Sequence, residues 1–144
     1  MVDPLLFFQL GVTWTLVGLI WVIQVVHYPL FAAVGEQHFN AYHRSHSSRI
    51  TWLVGPLMVS EALLATMLLL RDPSDPLLLS GLVLVVLLFA STAFIQVPLH
   101  HRLTRGLDPL TVRRLVATNW IRTVAWSLRG ILAVALLIGE EPLR

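Results

Sequence analysis

Residues 115–138 read LVATNWIRTVAWSLRGILAVALLI. This stretch is long and apolar enough to cross a bilayer as one helix, because a transmembrane helix needs about 20 residues. It nevertheless carries two arginines, Arg122 and Arg129. Together with Asn119 and Trp126 they recur three or four residues apart and lie on one helix face. Because lipid offers no hydrogen bonds, this polar stripe is predicted to face the inside of a helical bundle.

Three further apolar runs have the length of a membrane span. Hydrophobic residues make up 56% of the 144-residue chain and charged residues only 12%, whereas about a quarter of a soluble domain is charged. We therefore expect an all-α fold in one domain, an antiparallel four-helix bundle integral to a membrane. The predicted spans cover residues 5–31, 50–70, 77–97 and 115–138.

The links between the spans differ in length. Residues 71–76, RDPSDP, form a tight turn because proline stops a helix and aspartate bonds local amides. The other two links, residues 32–49 and 98–114, are longer and rich in His and Arg. In the first, Phe39, His43, His46 and Ile50 share a helical face, which predicts a short interfacial helix between spans 1 and 2. In the second, Thr111 is the expected cap of span 4.

The charges favour one orientation in the membrane. Six arginines lie on the side of the two long links and only two on the opposite side, which carries five acidic residues. The positive-inside rule then places both long links in the cytoplasm and both termini on the non-cytoplasmic side of an inner or plasma membrane. The arginines are Arg44, Arg49, Arg102, Arg105, Arg113 and Arg114 against Arg71 and Arg144; the acidic residues are Asp3, Asp72, Asp75, Glu140 and Glu141.

Composition also limits the chemistry and the partners. The chain has no cysteine, which excludes disulfides, thiolate metal ligands and cysteine nucleophiles. All ten basic residues are arginine and stand beside apolar runs. The lipid bilayer is therefore the expected partner, and nucleic acid is not.

A single carboxylate lies inside the predicted spans. Glu61 is eleven residues beyond Ile50, about 16 Å deep at 1.5 Å per residue. It can pair with Arg122 or Arg129, and the other arginine then needs carbonyls, water or an anionic ligand. Such a pair can fix the register of two helices or serve a reaction, and the sequence leaves both open.

Histidines from three segments are expected at one depth. His43 and His46 form a His-x-x-His pair, while His27 ends span 1 and His100 follows span 3. With Glu61 these four side chains make a candidate site for iron, copper, zinc or manganese. A b-type haem between His27 and His100 is a less favoured alternative, and interfacial histidines also simply meet lipid headgroups.

These residues define one candidate cavity with assigned roles. The catalytic candidates are Glu61, Arg122, His27 and His43; the ligand- or cofactor-binding candidates are Arg129, Asn119, Trp126, Gln24 and Gln96; the candidate metal ligands are His43, His46, His27 and His100. A histidine would move a proton and an arginine would hold an anionic oxygen of a hydrophobic substrate.

Several short motifs occur in a recognisable order: residues 28–31 (YPLF) with Gly35, Phe39, residues 42–43 (YH) with His46, Pro56, residues 97–100 (VPLH) with Leu103, and residues 119–123 (NWIRT) with Trp126 and Arg129. In order and spacing they resemble the anthrone-oxygenase-like family of small four-span membrane proteins, over most of the chain. The resemblance implies oxygenation of a hydrophobic, polycyclic aromatic substrate. The family's pattern does not account for the doubling of His100 with His101 or for the pairing of His43 with His46.

The expected function is therefore an oxygenase-like membrane enzyme acting on a hydrophobic small molecule. Two alternatives stay open. One is an accessory subunit of a larger membrane complex that holds haem, pigment or metal, which would co-purify with its partners. The other is a small carrier, which would have to form a homo-oligomer because four spans are few for transport.

Overall fold

The computed structural model describes residues 3–139, which form four long helices, short links and no strand. Each helix is long and apolar enough to cross a membrane, and the expected all-α bundle of four spans is confirmed. Glu140, Glu141 and Arg144 lie outside the described residues. The helices are α1 (Pro4–Ala33), α2 (Glu36–Arg71), α3 (Pro76–Leu103) and α4 (Pro109–Gly139).

Aspartate followed by proline begins three of these helices, α1, α3 and α4. Asp3 accepts a hydrogen bond from the Leu5 amide at the start of α1. Asp75 accepts from the amides of Leu77 and Leu78 at the start of α3. Proline suits the next position because its missing N–H would be unpaired there anyway. The predicted turn at residues 71–76 is therefore a helix end followed directly by a capped helix start.

The cap of α4 is Asp108 and not Thr111, so the prediction for Thr111 was wrong. Asp108 accepts from the Leu110 amide at 3.1 Å and from the Thr111 hydroxyl. These hydrogen bonds stabilise the carboxylate and lower the pKa of Asp108 below its usual value, the Thr111 hydroxyl contributing most. The helix begins at Pro109, and Thr111 lies within its first turn.

The separate interfacial helix predicted before span 2 is instead the first part of α2. This helix is 36 residues long, or about 54 Å, which exceeds the roughly 30 Å hydrocarbon thickness of a bilayer. No glycine or proline interrupts residues 36–54, so nothing ends the helix where its sequence becomes polar. Residues 98–103 likewise continue α3, and the predicted long links shrink to residues 34–35 and 104–108.

Two helices contain a π-helical turn just before a proline. In α1 the turn is Ile23–His27 and precedes Pro29; in α3 it is Thr92–Gln96 and precedes Pro98. Proline crowds the carbonyl four residues earlier and donates no amide hydrogen, and a wider turn relieves both problems. Because a π turn adds one residue, it rotates the following side chains around the helix. Gln24, within the α1 turn, and Tyr28, directly after it, are both buried.

The two ends of the bundle differ in composition, and we call them the histidine end and the hairpin end. The histidine end includes the links at residues 34–35 and 104–108, and the hairpin end includes the turn between α2 and α3. Between them lies an apolar layer to which all four helices contribute. Its buried residues are Leu16, Val17, Ile20, Met58, Leu88, Ala125 and Trp126.

Candidate functional site

Four histidines meet at the histidine end, as their sequence positions predicted. His27 comes from α1, His43 and His46 from α2, and His100 from α3. His43 is fully buried and His46 nearly so. The shared face of Phe39, His43 and His46 on α2 is therefore confirmed, although these residues belong to a longer helix than expected.

The imidazoles are held mainly by one another. His27 Nε2 lies 2.6 Å from His46 Nδ1, and their rings stack with centroids 4.3 Å apart. His43 Nε2 lies 3.0 Å from His100 Nδ1, with stacked rings 5.3 Å apart. The Tyr28 hydroxyl shares a hydrogen bond of 2.9 Å with His100 Nε2. Tyr28, His100 and His43 thus form a continuous chain of groups that can each gain and lose a proton.

Phe31 packs at the centre of this cluster and was not singled out by sequence reasoning. Its side chain is fully buried. The ring makes mostly edge-on contacts, which aromatic rings prefer, with His27, Tyr28, Phe39, Tyr42, His43, His46 and His100. Phe31 is the first residue of the 3₁₀ turn Phe31–Ala33, with which α1 ends. Its role as a spacer for four histidines is visible only in three dimensions.

Arg122 connects the histidines to polar residues on α1 and α4. Its guanidinium interacts with Tyr28 and donates to Asn119 Oδ1 at 3.1 Å. The Asn119 amide donates to Gln24 Oε1 at 2.9 Å, and the Thr123 hydroxyl donates to the same oxygen. Asn119 and Gln24, predicted as ligand-binding residues, therefore anchor Arg122 to the helix pair.

Several polar atoms of this cluster have no hydrogen-bond partner among the described residues. They are buried, so each would be costly to leave unpaired. The atoms are His43 Nδ1, His46 Nε2, Arg122 Nε and Gln96 Oε1. The Gln96 amide itself donates to Thr118 at 3.1 Å, so only its oxygen is left over. These atoms have capacity for a ligand that the protein itself does not use.

Cavities flank the histidines on both sides. One of about 370 Å³ lies beside His27 and His46, between α1 and α2. Another of about 290 Å³ lies between α2 and α3 and includes His43 and His100. A third, about 230 Å³, is bounded by all four helices and includes Tyr28, His100 and Arg122 with apolar walls.

The predicted metal site is not formed by this arrangement. Across residues 3–139, no group of three or more His, Asp or Glu side chains is placed to hold a metal ion. The histidine nitrogens are engaged in pairs with each other and with Tyr28. The alternative of a haem between His27 and His100 stays a prediction. The four side chains are gathered as expected, but as a hydrogen-bonded cluster.

Glu61 belongs to a second polar centre. Its carboxylate lies 2.9 Å from Arg129 Nε, with both side chains essentially unexposed. The Thr13 hydroxyl donates to the other carboxylate oxygen at 2.8 Å. The expected ion pair between Glu61 and an arginine of span 4 is therefore present, and the partner is Arg129.

Gly81 on α3 makes room for this ion pair. A Cβ added there would lie 2.8 Å from Arg129 Nη1, closer than non-bonded atoms allow. The guanidinium thus packs directly against the helix backbone. Neither Gly81 nor Thr13 was predicted to take part, and neither carries a sequence signal beyond a small residue within an apolar run.

The apolar layer separates the two centres. On α4, Ala125 and Trp126 lie between Arg122 and Arg129; on α2, Met58 lies between His46 and Glu61. His46 and Glu61 are fifteen residues apart in one helix, or about 22 Å. The residues expected in one cavity are therefore divided, with the histidines, Arg122 and Asn119 together and Glu61 apart. Trp126, a predicted ligand-binding residue, packs inside the apolar layer.

The remaining two histidines of the chain lie outside the cluster. His38 and His101 are exposed. His101 directly follows His100, so the two provide a matched pair of positions.

No family model matches this chain, and neither a curated protein nor a solved structure matches it.

Proposed function

We propose that this protein is a membrane enzyme of the oxygenase-like type that moves a proton at the polar end of a hydrophobic small molecule, in the histidine end of the bundle. The observation that carries the proposal is the chain Tyr28–His100–His43 beside a cavity that also includes Arg122. Histidine is the side chain most often used to transfer protons near neutral pH.

The chain of hydrogen bonds supplies a path for the proton. When the Tyr28 hydroxyl takes a proton from a substrate, it can pass its own proton to His100 Nε2, 2.9 Å away. His100 Nδ1 can then pass its proton to His43 Nε2, 3.0 Å away. His43 Nδ1 has no partner among the described residues, and His43 also lines the cavity between α2 and α3. The path therefore leads from the cavity beside Arg122 to the cavity between α2 and α3.

Arg122 is suited to hold the negative charge that proton removal leaves behind. It is buried, and its position is fixed by Asn119. A fixed cation in an enclosed site stabilises an enolate or phenolate oxygen without having to reorganise first. The residue expected to act on the substrate oxygen is therefore Arg122, and Arg129 is committed to Glu61.

The resemblance to the anthrone-oxygenase-like family supports an oxygenation as the overall reaction. For an anthrone, the acidic CH₂ carbon would lose two hydrogens and gain one oxygen atom from dioxygen, and the second oxygen atom would leave as water. The chain's own residues would supply the first step, removal of the acidic proton.

The direct test is oxygen uptake by protein purified in lipid nanodiscs, with anthrone and three lipophilic phenols as substrates. The change His100→Gln should lower the rate by about 10²–10⁴-fold, the usual contribution of a positioned acid or base. The control His101→Gln changes an exposed neighbour and should leave the rate unchanged. Equal rates for both variants, or no uptake by the unaltered protein with any substrate, would overturn the proposal.

We also propose that the histidine end faces the cytoplasm. Arg44, Arg49, Arg102 and Arg105 are exposed near this end, whereas Arg71 at the hairpin end is paired with Asp3. Reporter fusions after Arg49 and Arg105 should be cytoplasmic, and a fusion after Pro73 should be outside. The reverse pattern would contradict this orientation.

A further inference from the structure

The cavity next to His100 and Arg122 is smaller than most pockets for whole ligands. Its volume is about 230 Å³, whereas sites for drug-sized molecules hold roughly 300–1,000 Å³. Ile23 and Tyr28 from α1 and Met58 from α2 form part of its wall. It therefore holds a group the size of one substituted ring, and the rest of a larger ligand has to lie outside.

Two polar side chains in this cavity have unused hydrogen-bonding capacity. Arg122 Nε is a donor and Gln96 Oε1 is an acceptor, and both are buried without a partner among the described residues. Both side chains are more than nine-tenths buried. A group that satisfies both must accept one hydrogen bond and donate another, as hydroxyl groups can. A dihydroxy-substituted aromatic ring has this combination.

The open side of the cavity lies between α2 and α3. The cavity shares Ile50, Thr51, Val97 and His100 with the neighbouring one, which is lined by these two helices and by Thr104 of the following link. Thr51 and Val97 are exposed at its rim. The apolar side chains Trp52 and Phe94, on the same two helices, are about four-fifths exposed, at 81% and 80%. In helices that cross a membrane, such faces meet lipid, so a ligand leaving this opening enters hydrocarbon.

A glycine on α2 leaves open space in the wall of this cavity. A Cβ added to Gly55 meets no heavy atom within 4 Å, and Gly55 lines the cavity. A larger side chain at this position therefore has space to enter the cavity without displacing the protein.

We infer that the ligand is an amphiphile: a dihydroxylated ring fills the cavity at Arg122 and Gln96, and an apolar tail passes between α2 and α3 into the bilayer. This inference rests on the proposed function for the chemistry at the head, and it adds the substrate class and the path of binding. The tail lies in hydrocarbon before and after binding, so only the head group has to be desolvated.

The lack of cysteine in the chain allows a clean labelling experiment. Gly55→Cys places a thiol in the cavity; Gly18→Cys places one on the exposed face of α1, where an added Cβ also meets nothing within 4 Å. Both proteins are held in nanodiscs and treated with N-ethylmaleimide, with 5-dodecylresorcinol or with tail-less resorcinol present.

We expect 5-dodecylresorcinol to slow labelling of Gly55→Cys about tenfold at about ten times its dissociation constant, and to leave Gly18→Cys unchanged. Resorcinol at the same concentration should protect much less. Equal slowing at both positions, no slowing at Gly55→Cys, or equal protection by resorcinol would each overturn the inference.

Oxygen uptake separates this inference from the proposed function. Gly55→Leu should abolish uptake and Gly18→Leu should not. Selective protection of Gly55→Cys without uptake by the unaltered protein would support the binding mode and reject the enzyme. Normal uptake by Gly55→Leu, with Gly55→Cys unprotected, would reject the binding mode while the enzyme stands.

Discussion

The two polar centres of this bundle are built from different kinds of groups. At the hairpin side of the apolar layer, Glu61 and Arg129 are opposite charges in direct contact, with exposures of 0% and 1%, and Thr13 donates to the carboxylate. At the histidine end, imidazoles bond mostly to one another, and cavities lie on either side. Buried polar atoms without a hydrogen-bond partner among the described residues occur at both centres, for example Arg129 Nη1 at the first and Arg122 Nε at the second. The centres differ in that the first pairs opposite charges, whereas the second has cavities beside its imidazoles.

This difference indicates how each centre contributes. A charge inside a membrane protein is costly unless it is paired, so Glu61 and Arg129 depend on each other for stability. Replacing one of the histidines leaves no unpaired buried charge behind, so the protein should lose less stability. We therefore expect the ion pair to dominate stability and the histidines to dominate activity, and the following variants test that division.

The largest effect on stability is expected for Glu61→Gln. The change keeps the shape of the side chain but leaves Arg129 as an unpaired buried cation, which should cost about 3–5 kcal/mol of unfolding free energy. The measurement is reversible unfolding in detergent, with Glu36→Gln at the exposed start of α2 as the control. Unchanged stability combined with lost activity would instead place Glu61 in the reaction.

Replacing both members of the pair should undo most of that loss. In the double variant Glu61→Leu with Arg129→Met, no buried charge is left, and apolar side chains fill a similar volume. Such replacements of buried ion pairs are often neutral or stabilising. A double-mutant cycle should give a coupling energy of several kcal/mol between the two sites. Additive losses would mean that the two side chains are stabilised independently.

A smaller effect is expected for Gly81→Ala. The added methyl group would lie 2.8 Å from Arg129 Nη1 and force the guanidinium away from Glu61, at a cost of about 1–3 kcal/mol. Gly18→Ala, where nothing lies within 4 Å, should gain about 0.5–1 kcal/mol because alanine favours a helix. If both variants are stabilised equally, Arg129 does not depend on contact with the α3 backbone.

The smallest effect on stability is expected for His43→Gln. Glutamine can still bond His100, so the unfolding free energy should fall by only about 1 kcal/mol. Proton transfer along the chain should nevertheless fail, and oxygen uptake should fall by about 10²-fold or more. His38→Gln, an exposed position on the same helix, should change neither quantity. Stability lost in proportion to activity would make the histidines structural.

The spans could be predicted from the sequence because the hydrophobic requirement of a bilayer is local. A run of about 20 apolar residues identifies a span wherever it occurs, and all four runs lie in helices. The polar stripe on α4 could likewise be predicted from the spacing of its residues, and all four of them are buried. Helix ends were harder to predict, because the polar start of α2 has no proline or glycine to interrupt it and α3 continues through Pro98.

The sequence by itself therefore determined the fold class, the four spans, the burial of the α4 stripe and the need of Glu61 for an arginine. Only the tertiary structure decided that this arginine is Arg129, that Phe31 and Tyr28 gather the histidines, and that an apolar layer divides the polar residues. Residue spacing fixes the face and approximate depth of a side chain on its own helix. Which side chains meet across helices depends on the relative shift and rotation of those helices. Here the π turns of α1 and α3, the extended α2 and the close approach at Gly81 set that geometry.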